Sequence, residues 1–377
     1  MLSNQETITY IGGEGPHRTL KEFHSMRIGI EFVPDKPIEK LVTWTKLAEE
    51  SGFDNVWITD HYNNRNVWSA LTAIALNTEK IMLGPGVTNP FHISPALTAS
   101  AAVTINELSN GRAVIGIGAG DKVTLSGLGI KWDKPVSAVV ESIKYMQKLT
   151  EGSKFKHDGK VFKVKNAKLA IVKKEPVLDA DGNPKMKDGK PVKKGPKIPI
   201  YAGAQGPMML KMTAMVADGI LINASHPKDF EIAMEKIKEG VEEAGRDLKE
   251  IDVTAYASFS IGDTREAALE GDAKIVVAFI VAGSPDVVLE RHDLDLDACN
   301  KVRGLLGEGN FKDLPDAITD EMIDAFAVVG NKDQCIRRIE DLGKVGVTQF
   351  VVGSPIGPRK KDGIKQIGKE IIPYFKK

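Results

Sequence analysis

The sequence predicts an α/β protein built around a single (β/α)8 TIM barrel. Three observations lead there. Eight short runs rich in β-branched residues recur along the chain, separated by stretches with helical periodicity. The runs are almost continuously apolar, as strands of a parallel sheet buried on both faces must be. No GxGxxG follows the first run and the runs do not divide into two halves of three, which disfavours a doubly wound sheet.

Residues 1–25 contain Gly12, Gly13, Gly15 and Pro16, lack periodicity, and read as an N-terminal extension; the barrel takes 26–377. The first strand is RIGIEF (27–32). In the next stretch Ile38, Leu41, Val42, Leu47 and Ala48 share one helical face, and Gly52 ends the helix. NVWIT (55–59) and IMLGPGV (81–87) follow as strands. ALTASAAVTINELSN is helical up to Gly111 and leads into RAVIGIGAG, the fourth strand. IPIYAGA (198–204) is the fifth, ILINAS the sixth, VTAYASFSIG (253–262) the seventh, and VTQFVVGSP, after Gly346, the eighth.

Two stretches interrupt this rhythm. Within an exposed insertion at about 151–197, KFKHDGKVFKVKNAKLAI reads as a hairpin turning at Asp158-Gly159, followed by a Lys-, Gly- and Pro-rich excursion that cannot bury a core. Its DADGN resembles the start of a calcium loop. However, Pro184 stands where that loop needs Gly, and Lys190 where it needs Glu, so a β-turn is expected instead. An irregular helical segment at about 283–330, including PDVVLERH and EMIDAFAV, is expected to cover one barrel end.

Composition excludes several functions. Fifty-one basic and fifty-one acidic residues leave no electrostatic footprint for nucleic acid or an anionic membrane. The longest apolar runs, such as 275–282, fall far short of the ~20 residues a membrane span needs. The polar N-terminus lacks a signal-peptide pattern, and Cys299 and Cys335 form no CxxC pair; together these point to the cytoplasm.

In such a barrel the reactive groups sit at the C-terminal ends of the strands. There the chain places Glu31; Asp60 and His61; Gly86, Val87, Thr88 and Asn89; Asp121; and Gly203, Ala204, Gln205 and Gly206. No strand-end lysine suits a Schiff base and no GxSxG elbow is present. Asp60-His61 is too small a set to hold a metal, and none is expected. Glu31 has two readings. Inside the barrel mouth, burial would raise its pKa and make it a proton donor; otherwise it pairs with Arg27 or meets solvent. Asp121 either approaches a ligand across Gly118-Ala119-Gly120 or caps the next helix. GAQGPMML offers free helix N–H groups to a phosphate.

MRIGIEFVPD, GFDNVWITDHYNNRN, LGPGVTNPFHISP, NGRAVIGIGAGD and PIYAGAQGPMML together resemble the bacterial-luciferase-like superfamily. More closely, they resemble its coenzyme F420-dependent 5,10-methylenetetrahydromethanopterin reductases. The resemblance spans 26–377; the 25-residue leader and the excursion near 173–197 depart from it. It implies coenzyme F420, an 8-hydroxy-5-deazaflavin, bound at the barrel mouth in reduced form as hydride donor, with a pterin one-carbon carrier as substrate. It also implies a non-prolyl cis peptide at Gly86-Val87 behind the ring. Thr88 and Asn89 would flank the ring, Asp60 and His61 would face it or its tail, and Gly203, Ala204, Gln205 and Gly206 would hold the phosphodiester. Glu31 would be the acid that protonates the departing pterin nitrogen, and Asp121 a pterin-side carboxylate. A homodimer or homotetramer is implied, paired through helices near the second and third strands, where TASAAVTI (98–105) is rich in small residues. Related monooxygenases and alcohol dehydrogenases, and a non-catalytic barrel, are the competing expectations.

Overall fold

The computed structural model describes residues 26–179 and 181–376; the extension at 1–25 lies outside them. Nine parallel strands form the main sheet: β1 (Arg27–Phe32), β2 (Asn55–Ile58), β3 (Met82–Pro85), β4 (Ile115–Ile117), β5 (Ile200–Gly203), β6 (Gly219–Ile222), β7 (Asp252–Ile261), β8 (Ala327–Gly330) and β9 (Gln349–Ile356). Eight of them close a ring in chain order, with β9 returning to β1. The seam between β3 and β4 is held by bridges at Leu83–Ala113 and Thr88–Ile117. Each of the eight expected runs is one staff of the barrel.

Strand alternation sorts the side chains. Ile28, Ile30 and Phe32 join the apolar layer between sheet and helices. Trp57, Val114, Tyr201, Leu221 and Val351 fill the lumen, with Val87 and Tyr256 against them. A polar plug closes the N-terminal end. Asp252 pairs with Arg27 and accepts from Tyr201 Oη (2.8 Å) and Gln349 Nε2 (2.9 Å).

The segment before β9 differs from expectation. EMIDAFAV is not one helix: Thr319 caps a helix at Asp320–Phe326, and Ala327–Gly330 then turns into β8. The β-branched Val328 and Val329 fit the pleat against Ser258–Ile261 of β7. β7 is long enough to pair β6 with its first half and β8 with its second. The helices at 273–326 enclose a second core that includes Val277, Val281, Leu289, Cys299, Val302, Met322 and Phe326.

In the insertion, Phe155–Asp158 pairs antiparallel with Lys163–Ala167. The turn occupies Gly159–Phe162 rather than Asp158-Gly159. Glu141, on the helix Pro135–Thr150, draws that shape by accepting from the amides of Lys160 (2.7 Å), Val161 (3.2 Å) and Phe162 (2.9 Å). In DADGN, Asp179 accepts from the Asp181 and Asn183 amides, an Asx turn. No metal-binding group of acids, histidines or cysteines occurs among the described residues.

Arg112 joins the helix Val67–Ala75 to the β3–β4 seam. Its buried guanidinium donates to the carbonyls of Ala75, Thr78, Ile81 and Ser109 and to Thr78 Oγ1, at 2.7–3.0 Å. Arg112→Met strips these acceptors of their donor and should cost about 3 kcal/mol in urea unfolding. A loss below about 1 kcal/mol would show that the carbonyls find other partners.

Candidate active site

Above the lumen, at the C-terminal end of β2 to β6, lies a cavity of about 600 Å3. Asp60, His61, Gly86, Val87, Asn89, Asp121, Gly203, Ala204, Gln205 and Gly206 all line it. The structure thus brings together all but two of the residues singled out from sequence. Thr88 is one exception. Its amide donates to Gly116 O (3.0 Å) and its carbonyl accepts from Gly118 N (2.8 Å), so this buried residue is part of the β3–β4 seam.

Glu31 is the other. It is 8% exposed, and its carboxylate accepts from the Ser354 amide at 3.3 Å, but it does not line the cavity. The pairing with Arg27 does not form either, because Asp252 takes that guanidinium. Burial raises the pKa of Glu31, against the opposing pull of the Ser354 N–H and of Lys360. Tyr256, which does line the cavity, reaches from β7 across the barrel to donate to Gly86 O at 3.2 Å. Burial raises the pKa of its hydroxyl well above the usual value, and the charge of Glu31 adds to the rise.

The floor is the Gly86–Val87 segment, whose peptide is cis. Val87 is seated where neighbouring strands carry glycine. A Cβ on Gly118 would lie 2.8 Å from Val87 Cγ2, and one on Gly116 only 2.3 Å from Pro85 O. Leu125, Leu128 and Met209 add apolar wall.

The rim is polar. Asp121 caps the next helix, one of its two expected roles: as N-cap of Lys122–Gly127 it accepts from Thr124 N at 2.6 Å, and it also lines the cavity. Hydrogen bonds from the Thr124 side chain and amide hold its pKa below the ordinary value, so it is an anion at neutral pH. Gly206 is the N-cap of the helix Pro207–Ala214, with no side chain closing that helix end. Gln205 Nε2 donates to Asn223 O at 3.1 Å. Asp60 Oδ2 meets His92 Nε2 at 3.0 Å, and His92 Nδ1 meets Asn89 Nδ2 at 2.5 Å.

Tyr256 and His92 were missed from sequence. Strand alternation could have marked Tyr256, which shares a face of β7 with Thr254 and Ser258. Ser260, nearer the strand end, is tied to Ala268 O. His92 carries no such signal, since Asp60 stands 32 residues earlier.

Fold and cavity together define a barrel enzyme with its site at the C-terminal mouth. Residues 19–349 match the family model for luciferase-like monooxygenases. The 5,10-methylenetetrahydromethanopterin reductase of Archaeoglobus fulgidus is 54% identical over 355 residues, covering 93% of this chain and 100% of that protein. The enzyme of the same name from Methanolobus tindarius is 49% identical over 348 residues, covering 92% of this chain and all of its own length. Among solved structures, the coenzyme F420-dependent tetrahydromethanopterin reductase of Methanopyrus kandleri superposes with a TM-score of 0.83 at 42% identity, covering 93% of this chain and 99% of that one. This chain belongs to the luciferase-like family and, within it, to the 5,10-methylenetetrahydromethanopterin reductases. An F420-dependent secondary alcohol dehydrogenase, at 20% identity and TM-score 0.70, shares the fold.

The seat of Val87 can be tested directly. Gly116→Ala sets a Cβ against backbone and should cost roughly 1–3 kcal/mol in urea unfolding. Gly127→Ala, which meets open space, should leave stability unchanged or slightly higher.

Proposed function

We propose that this chain transfers hydride reversibly between reduced coenzyme F420 and the methylene carbon of 5,10-methylenetetrahydromethanopterin, giving 5-methyltetrahydromethanopterin. The observation that carries this reading is 54% identity sustained over the full length of the A. fulgidus reductase.

The cavity suits a flat ring with an anionic tail. Val87, Ala204, Leu125 and Met209 offer apolar contact, and Gly86 presents only backbone. At Gly206 a Cβ would meet nothing within 4 Å, so a phosphodiester has room at the uncapped helix Pro207–Ala214, where N–H groups and dipole favour negative charge. In this reading Gly203, Ala204, Gln205 and Gly206 hold the tail, while Asp60, His61, Gly86, Val87 and Asn89 hold the ring. The bound reduced deazaflavin supplies the hydride.

The chain's own residues handle the proton and the alignment. A carbon bridging two nitrogens accepts hydride once one C–N bond opens to an iminium, and protonating the departing nitrogen assists that opening. Glu31, whose buried carboxyl is pushed toward its protonated form, is the store for this proton. Tyr256 lines the cavity, and Glu31, which does not, is near enough for its charge to act on the Tyr256 hydroxyl. In this reading the proton passes from Glu31 to the nitrogen by way of Tyr256, whose O–H turns from Gly86 O to deliver it. Asp121, an anion on the rim, accepts N–H groups of the pterin. Holding the two rings together and excluding water completes the protein's part.

Absorbance of reduced F420 decides the reaction: oxidation should require methylenetetrahydromethanopterin. Oxygen consumption, alcohol-dependent turnover, or a bound chromophore without turnover would each overturn the reading. Glu31→Gln and Tyr256→Phe should each lower kcat by about a hundredfold with little change in F420 affinity. Asp121→Asn should raise KM more than it lowers kcat. Glu31 also predicts a pH effect on stability. Its folded pKa lies above its unfolded one, so its contribution is present at low pH and lost as pH rises through the folded value. Melting curves of Glu31→Gln should therefore fall less steeply with pH over that window than those of wild type.

Assembly and location belong to the same proposal. The helices Val67–Ala75 and Pro95–Leu108 pack together, and Leu76 and Leu97 beside them are 63% and 61% exposed. We expect a homodimer or homotetramer joined there; light scattering at micromolar concentration checks it, and Leu97→Glu should yield monomer. No helix among the described residues is long and apolar enough to cross a membrane. Fractionation should find the protein in the cytoplasm.

A further inference from the structure

Asn89 sits at the end of β3 with its side chain fixed from below. Its Oδ1 accepts from the amides of Phe91 (3.0 Å) and His92 (3.2 Å). Both are donors, so the oxygen of the amide must face them and the NH2 must face the other way. What it faces is His92 Nδ1, at 2.5 Å. An NH2 group only donates, so Nδ1 must accept, and a neutral imidazole then carries its proton on Nε2. That Nε2–H points at Asp60 Oδ2, 3.0 Å away. Two backbone amides thus dictate an amide orientation, the amide dictates a tautomer, and the tautomer orients a carboxylate.

All three side chains line the cavity, and that of Asp60 is 12% exposed. Among the described residues Asp60 has no other hydrogen-bond partner, so Oδ1 stays available at the cavity wall. We propose that His92 is a positioning residue for ligand binding. Locked by Asn89 in the neutral Nε2–H form, it pins one oxygen of Asp60 and leaves the other as an acceptor of fixed direction for an N–H or O–H group on the ring of the deazaflavin. A ligand that presents only acceptors at that edge is refused, because the carboxylate cannot turn a donor toward it. The proposal rests on reading this cavity as the deazaflavin site; the tautomer does not.

Two measurements test it. In cofactor-free, 15N-labelled protein at neutral pH, long-range 1H–15N spectra should show His92 protonated at Nε2 alone. Asn89→Asp keeps an acceptor for the two amides but turns an anionic oxygen toward Nδ1, so both ring nitrogens should carry protons in that variant. A wild-type Nδ1–H form would overturn the lock. In the second measurement, fluorescence titration with F420, His92→Phe should weaken binding about tenfold, the scale of one lost charge-assisted hydrogen bond. His92→Gln, whose amide can still donate to Asp60, should recover most of that loss, and melting curves confirm that each variant is folded. Unchanged affinity in His92→Phe, or equal losses in both variants, would remove His92 from ligand positioning. Failure of wild type to bind F420 would overturn the site reading and the ligand half of the proposal, while the spectra decide the tautomer on their own.

Discussion

The structure depends on how the barrel closes over its own lumen. Val87 drops into the mouth against Trp57, and β4, the loop after it and β5 supply Gly116, Gly118 and Gly203 where any side chain would meet it. Tyr256 reaches over from β7 and ties down the Gly86 carbonyl. One segment therefore finishes the packed core below and makes the floor of the cavity above. Thr88 then joins the seam that completes the ring.

Charge is divided along the barrel axis by the same construction. At the N-terminal end Asp252 gathers Arg27, Tyr201 and Gln349, so the one cation on β1 is already used. Glu31, at the other end of that strand, has a single amide donor and a burial cost that favours its protonated form. Asp121 shows the opposite outcome for the same functional group, because Thr124 donates to it near solvent. Two carboxyl groups near one mouth have their pKa values pushed in opposite directions by their surroundings, as separate acid and anion-binding tasks would require.

The cavity lies to one side for a reason found in β7. That strand runs on past the cavity level to pair with β8 and carry the helical cap, so Ser258 and Ser260 are spent on Ser354 O and Ala268 O. The open ground is left over β2 to β6. There the strands are short, and the loops after them begin with Thr59, Gly86, Gly118, Ala204 and Asn223.

Sequence by itself determined the eight staves and their order, because helices stopped at Gly52, Gly111 and Gly346 and followed by apolar runs are local signals that a parallel barrel needs at fixed places. It also marked ten residues of the cavity wall, since strand ends in a barrel converge wherever they lie in the chain. Only the tertiary structure decided how far each side chain reaches. Thr88 and Val87 are neighbours in sequence, yet one is locked in the seam and the other fills the lumen. β8 emerged from a run read as helix because the free edge of β7 gave Val328 and Val329 a ladder to join. Glu31 was found but not its place outside the cavity that Tyr256 lines, and Asp60 was found but not His92. Each of these depends on a contact between segments far apart in the chain, which residue types and spacing do not encode locally.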